Sequence, residues 1–270
     1  MALTPFQRDV CRHLASQRRE RGESYVAGGA ALNEVLAADR LSRDIDLFHD
    51  SYEALAASWD TDRRTLTAAG FGVDVVRERP SFVEAMVSHG SETVLVQWTR
   101  DSAFRFFPLL EHAEFGLTLH PFDLATNKVL ALVGRLEVRD WIDVITCAER
   151  LQPLGYLSWA ACGKDPGFSP QAILAEAARS TRYSSDEVSA LSFAGPPPDA
   201  ADLSRRWREH LRVAAELVAA LPIDRVGQAV LSDQRTLMTF TCAGLAAALT
   251  GGTVTFHAGR IRGAFPQLLS

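Results

Sequence analysis

The sequence predicts an α+β fold, a mixed sheet flanked by helices and followed by a helical C-terminal half. Two observations carry that expectation. In the first part of the chain, segments of period-two alternation are interleaved with segments of helical period, and three strand candidates follow one another over 71–99. From residue 122 to residue 220, apolar residues recur at helical spacing in one segment after another.

The elements follow in order. Residues 5–21 read as an amphipathic helix, with Phe6, Val10 and Leu14 at helical spacing and arginines between them. Ser24–Ala27 is a short strand running into Gly28 and Gly29, and 30–38 is a helix. Asp44–Phe48 alternates polar and apolar residues and reads as a second strand, and Tyr52–Ala69 is a helix that stops at Gly70. Residues 71–79, 82–88 and 92–99 are strand candidates separated by Pro80-Ser81 and His89-Gly90-Ser91. Residues 122–136 and 138–151 are strong helices, and further helices are expected over 156–163, 170–180, 184–192 and 200–220. Beyond Pro222 the pattern weakens to a helix over 236–249 and a strand over 253–256. The change in character places a mixed domain at 1–120 and a mostly helical one at 121–270.

Composition excludes several classes. The 270 residues are 47% hydrophobic and 23% charged, ordinary for a globular protein large enough to need no disulfide or metal staple. No apolar run approaches the roughly 18–20 residues that a membrane span requires. Residues 1–9 carry charge where a signal peptide needs an apolar stretch. Cys11, Cys147, Cys162 and Cys242 lie far apart without a C-x-x-C pair, which argues against zinc and disulfides and fits a reduced, cytoplasmic setting. The net charge of −5 shows no overall attraction for polyanions. Of the 28 basic residues only Lys128 and Lys164 are lysines, so a lysine at a chemically telling place is notable.

Three clusters carry chemistry. In Tyr25-Val26-Ala27-Gly28-Gly29-Ala30, two glycines between strand and helix let a ligand approach the backbone, with the free N–H groups of the helix start facing a phosphate. The same pair also serves as an ordinary tight connection. In Arg40-Leu41-Ser42-Arg43-Asp44-Ile45-Asp46, alternation puts Asp44 and Asp46 on one strand face, where two carboxylates repel unless a cation lies between them. Mg²⁺, held by one or two carboxylates plus substrate phosphates, suits that pair, and a solvated strand face is the alternative. The third cluster is Asp123 and Lys128 on one apolar helix with Arg135, Arg139, Asp140 and Asp143 after it, the last two on one helix face. Ordinary surface charges with an Arg135–Asp140 bridge account for any one of these residues, less easily for the set.

Together these motifs resemble the AbiEii/AbiGii branch of the DNA polymerase β-like nucleotidyltransferases, a branch that includes toxins of toxin–antitoxin systems and the mycobacterial MenT enzymes. The resemblance spans about residues 20–150. It implies a nucleotidyltransferase-like sheet and transfer of NMP from an NTP to a hydroxyl acceptor, the tRNA 3′ end or a protein hydroxyl. It also implies a toxin role and a cognate antitoxin partner. It places Mg²⁺ on Asp44 and Asp46, nucleotide on Gly28, Gly29, Ala30, Arg40, Ser42 and Lys128, and catalytic roles on Asp44, Asp46, Lys128, Asp140 and Asp143. Two positions depart from the pattern. The usual Gly-Ser turn is Gly28-Gly29 here, and the usual third carboxylate aligns with Gln97, leaving Asp101 or Asp74 as substitutes. A nucleotide- or partner-binding relic without turnover, and a small-molecule nucleotidyltransferase of the antibiotic-modifying kind, are the alternative functions. Arg205, Arg206, Arg208 and Arg212 are the best candidates for an RNA-facing surface.

Overall fold

The structure, a computed structural model, describes residues 3–180 and 183–266. The chain divides into two compact units. The first holds the chain to Ala103, Pro108–His120 and Ser192–Gly195, and the second holds Phe104–Phe107, Pro121–Leu191 and the chain from Pro196.

In the first unit, helix α1 (Pro5–Arg21) starts at a capping box between Thr4 and Gln7 and stops at Gly22, whose φ of 70° only glycine adopts readily. Strand β1 (Ser24–Ala27) is wholly buried. Helix α2 (Gly28–Val35) begins two residues earlier than the periodicity predicts, because Gly28 at φ 64° turns the strand directly into the helix. Strand β2 (Asp44–His49) leads to helix α3 (Tyr52–Ala68), capped by Ser51. Strands β3 (Gly72–Arg79), β4 (Phe82–His89) and β5 (Glu92–Arg100) form the expected meander. The second unit takes the short β6 (Phe104–Arg105) before the chain returns to the first for β7 (Leu110–His112) and β8 (Gly116–Thr118).

The sheet has seven strands in the order β3-β4-β5-β2-β1-β8-β7. It is mixed, since β2 runs antiparallel to β1 but parallel to β5, and β8 runs parallel to β1. One face carries Ile45, Leu47, Val83, Ala85, Val94, Val96 and Trp98, all buried, and α1 and α3 pack on this sheet. A buried polar network is embedded there. Asp62 accepts from Arg18 Nη2 (3.0 Å), Trp98 Nε1 (2.8 Å) and Ser58 Oγ (3.2 Å), so the buried guanidinium and carboxylate compensate each other. Beside it, His49 Nδ1 donates to the Thr99 carbonyl (3.2 Å) and Nε2 accepts from the Ser24 hydroxyl (3.1 Å). Burial, followed by the Arg18 charge, pushes the His49 pKa down to about 4. The opposite side chains of β2, β5 and β4 are only half-buried, and these include Asp44, Asp46, Gln97 and Glu84.

The second unit is mostly helical: α4 (Pro121–Arg135), α5 (Val138–Arg150), α6 (Leu154–Ala161), α7 (Pro170–Ala177), α8 (Ser185–Ser189), α9 (Ala200–Ala220) and, further on, α10 (Cys242–Thr250). Its core gathers Tyr156, Trp159, Leu217, Val218, Val230 and Leu245. Strand β9 (Gln228–Ser232) pairs with β10 (Val254–Ala258), and β11 (Arg260–Ile261) pairs with β6. The sequence shows β10 but not β9. Ala229, Val230 and Leu231 are all buried, so the strand has no alternation to read. The helix expected over 236–249 starts only at Cys242, because Met238 is held to β9 by its own backbone and by Gln152 Nε2, which donates to the carbonyls of Val230 (3.0 Å) and Met238 (2.9 Å).

Candidate active site

In the first unit the strand–turn–helix and the acidic strand meet. Ala27 is the antiparallel register partner of Asp46, which brings the Asp46 carboxylate over the backbone of Gly28. A β-carbon at Gly28 would lie 1.7 Å from Asp46 Oδ2, so no side chain fits there. A β-carbon at Gly29 would meet Arg40 Nη2 at 2.7 Å and Ser42 Oγ at 3.0 Å. The glycine pair is therefore a flat bed covered by Asp46, Arg40 and Ser42. Ala30 is buried behind it in α2, whose start has no side-chain cap on its N–H groups. Ser42 Oγ donates to Asp44 Oδ1 (2.9 Å), which fixes the first carboxylate of the pair. Arg40 and Ser42 are both buried, although they lie between elements.

Asp44 and Asp46 share one half-buried strand face, as period two requires. Among the described residues no group of three or more His, Cys, Asp or Glu side chains is placed to hold a metal ion. Two carboxylates above a glycine bed fit a hard cation that keeps several waters and takes its remaining ligands from a phosphate, which is the habit of Mg²⁺. Gln97 is in parallel register with Asp46, and its polar side chain points the same way. The two acids considered as substitutes lie elsewhere. Asp74 is on the edge strand β3, with β4 and β5 between it and β2. Asp101 lies just past β5, where its N–H donates to the His49 carbonyl. The acid that sequence reasoning missed is Glu84, in register with Gln97 on β4 and accepting from Gln97 Nε2 at 2.8 Å. The polar–apolar alternation of β4 was its only sequence signal.

The second unit holds the other predicted residues. Lys128 Nζ lies 2.9 Å from Asp140 Oδ1 and 3.1 Å from Asp143 Oδ2, with both carboxylates fully buried. Arg135 also donates to Asp140, through Nε at 2.6 Å and Nη2 at 2.9 Å. Burial pushes the Asp140 carboxyl up, but the Arg135 hydrogen bond and the Lys128 charge outweigh it and hold the group below its usual range. Lys128, Asp140 and Asp143 thus form one neutralising cluster, while Arg139 pairs with Glu137 (2.6 Å). The other lysine has a different partner. Lys164 binds Asp123 Oδ1 (2.9 Å), and that carboxylate accepts the N–H groups of Phe106 (2.9 Å) and Phe107 (3.0 Å), pinning the 104–107 segment. Most of the α9 arginines are already paired: Arg205 with Asp202, Arg206 with Glu149, and Arg212 with Glu209 and Glu216. These partners neutralise most of the surface that the sequence offers to RNA.

No protein-family profile matches the chain, and no curated protein is similar enough to count as a relative. Among solved structures, the chain is similar to MenT4, a nucleotidyltransferase toxin from Mycobacterium tuberculosis, at 17% identity and a TM-score of 0.53 over 80% of this chain and 84% of that one. It also aligns with JHP933 from Helicobacter pylori at 12% identity and a TM-score of 0.46, over 78% of this chain and 91% of that one. The likeness to MenT4 shows the fold, a mixed sheet flanked by helices and shared with a nucleotidyltransferase toxin.

Proposed function

We propose that the protein is a Mg²⁺-dependent nucleotidyltransferase that moves NMP from an NTP to a hydroxyl acceptor with release of pyrophosphate. The observation that supports this most directly is the placement of Asp44 and Asp46 on one strand face with the Asp46 carboxylate laid on Gly28. Asp44 and Asp46 would hold the ion, which when bound neutralises triphosphate charge and polarises the α-phosphorus. Gly28, Gly29 and the uncapped start of α2 offer N–H groups to phosphate oxygens. Ser42 orients Asp44, and Arg40 covers Gly29 as a fixed cation facing the phosphates. Such a site works by positioning and electrostatics. Lys128 belongs to the reading as a triphosphate contact oriented by Asp140 and Asp143. The acceptor we favour is the tRNA 3′ end, and the biological role that of a toxin controlled by a cognate antitoxin, as the motifs of the sequence imply; of these, the likeness to MenT4, a nucleotidyltransferase toxin, supports the toxin role alone.

The test is incubation of the protein with each α-labelled NTP, Mg²⁺ and total RNA, with cell lysate in parallel, following the label. Label on small RNA that vanishes in Asp46→Asn supports the reading. An unlabelled pool, with Mg²⁺-NTP bound equally by wild type, Asp44→Asn and Asp46→Asn, overturns it. Inducible expression that arrests growth only when Asp46 is intact supports the toxin role.

A further inference from the structure

The half-buried face of the sheet carries one polar row across three strands, Asp46 on β2, Gln97 on β5 and Glu84 on β4, each in register with the next. Gln97 Nε2 donates to Glu84 Oε1 at 2.8 Å, and that is the hydrogen bond either side chain makes among the described residues. Arg77, the register partner of Glu84 on β3, instead lies over the Phe82 ring at 6.0 Å. The amide nitrogen of Gln97 is therefore committed to Glu84, and its oxygen is the free end of the side chain on the strand beside Asp46. A carboxylate accepts but cannot donate, so Glu84 can bind only the NH₂ end of that amide. An amide oxygen is a hard, neutral ligand of the kind that carboxylate-bound divalent cations accept.

We propose that Glu84 is a positioning residue of the candidate site: it holds the Gln97 amide in one orientation and so presents the Gln97 oxygen as a neutral third ligand beside Asp44 and Asp46. The inference rests on the reading of Asp44 and Asp46 as the ion site. It answers a problem of charge, because a third carboxylate at 97 would face Glu84 directly, and like charges opposite each other on neighbouring strands repel. This chain moves the acid one strand outward and leaves the inner place to an amide.

The test is Mn²⁺ binding to the full chain, read from the electron paramagnetic resonance of the free ion, with thermal melts confirming each variant. Glu84→Ala frees the amide to rotate and should weaken Mn²⁺ binding about tenfold, the range for loss of a group that orients a metal ligand. Glu84→Gln can still accept from Gln97 but can also turn its own NH₂ to the Gln97 oxygen, so its binding should fall between that of Glu84→Ala and wild type. Equal losses in both variants mean that Glu84 acts through charge alone and overturn the proposal, as does wild-type binding in Glu84→Ala. A swap decides the matter if Glu84→Ala does not fold. Gln97→Glu alone sets two carboxylates face to face, whereas Glu84→Gln with Gln97→Glu restores a donor and acceptor and should bind Mn²⁺ more tightly than Gln97→Glu. Equal affinity in single and double variants overturns the proposal. Asp46→Asn separates the two levels: unchanged binding there removes the ion site itself, while lost binding there with wild-type binding in Glu84→Ala removes only the role of Glu84.

Discussion

Asp46 and Gly28 occupy one place: the carboxylate of the first lies where the β-carbon of any other residue at the second would be, with 1.7 Å between that carbon and Oδ2. The contact couples the strand to the turn. Gly28 also sits at φ 64°, where a side chain is strained by about 1–2 kcal/mol. Gly28→Ala should therefore lower the melting temperature and abolish Mg²⁺-nucleotide binding together. In an Asp46→Ala background the two closest contacts vanish and one of 2.9 Å remains, so part of the stability loss should be recovered. A double-mutant cycle of melts measures this, and full additivity would deny the contact.

Gly29→Ser puts at the turn the hydroxyl of the Gly-Ser pattern that the sequence departs from, yet we expect it to weaken nucleotide binding. Its β-carbon would displace Arg40 Nη2 and crowd Ser42 Oγ, disturbing the partner of Asp44. Calorimetric titration with NTP in the presence of Mg²⁺ checks this, and tighter binding would show that Arg40 and Ser42 are not part of the bed.

Removing Lys128 should act first on stability. Lys128→Met leaves Asp140 to Arg135 and strips Asp143 of a buried ion-pair partner, a type of change that costs about 3–5 kcal/mol. Adding Asp143→Asn removes one of the two buried carboxylates that Lys128 bridges and should restore part of the urea midpoint. The restored double variant then allows the triphosphate role to be measured. NTP binding weakened more than NMP binding supports a contact with the outer phosphates, and equal loss assigns Lys128 to the fold alone.

His49 makes stability depend on pH in a definite direction. Its pKa falls from an ordinary 6.5 to about 4 on folding, so between those values the unfolded chain binds the extra proton. Stability should be full above pH 6.5, decline as the pH falls towards 4, and lose at most about 3 kcal/mol from this group. His49→Gln should flatten that part of the profile in urea titrations between pH 7 and pH 4, and an unchanged slope would locate the acid sensitivity elsewhere.

Local spacing is legible in a sequence because it reflects one stretch of backbone. Period two placed Asp44 and Asp46 on one face, the glycine pair marked the turn after β1, and helical period marked α4 and α5 with Lys128, Asp140 and Asp143 on them. The α+β class follows from the same local signals, and the sheet of the first unit is the expected mixed one. Pairing between distant strands has no such signature. That Glu84 stands behind Gln97, and not Asp74 or Asp101, depends on the β4–β5 and β5–β2 registers, which are set by packing and ladder hydrogen bonds across the whole sheet. The same holds for Arg40 and Ser42 over Gly29, for Asp62 between Arg18 and Trp98, and for β8, which pairs with β1 through Thr118 and Val26, 92 positions apart. Local period and composition indicate which residues are available to a charged site; the fold sets which of them stand together, because only long-range burial fixes the distance between side chains from different elements.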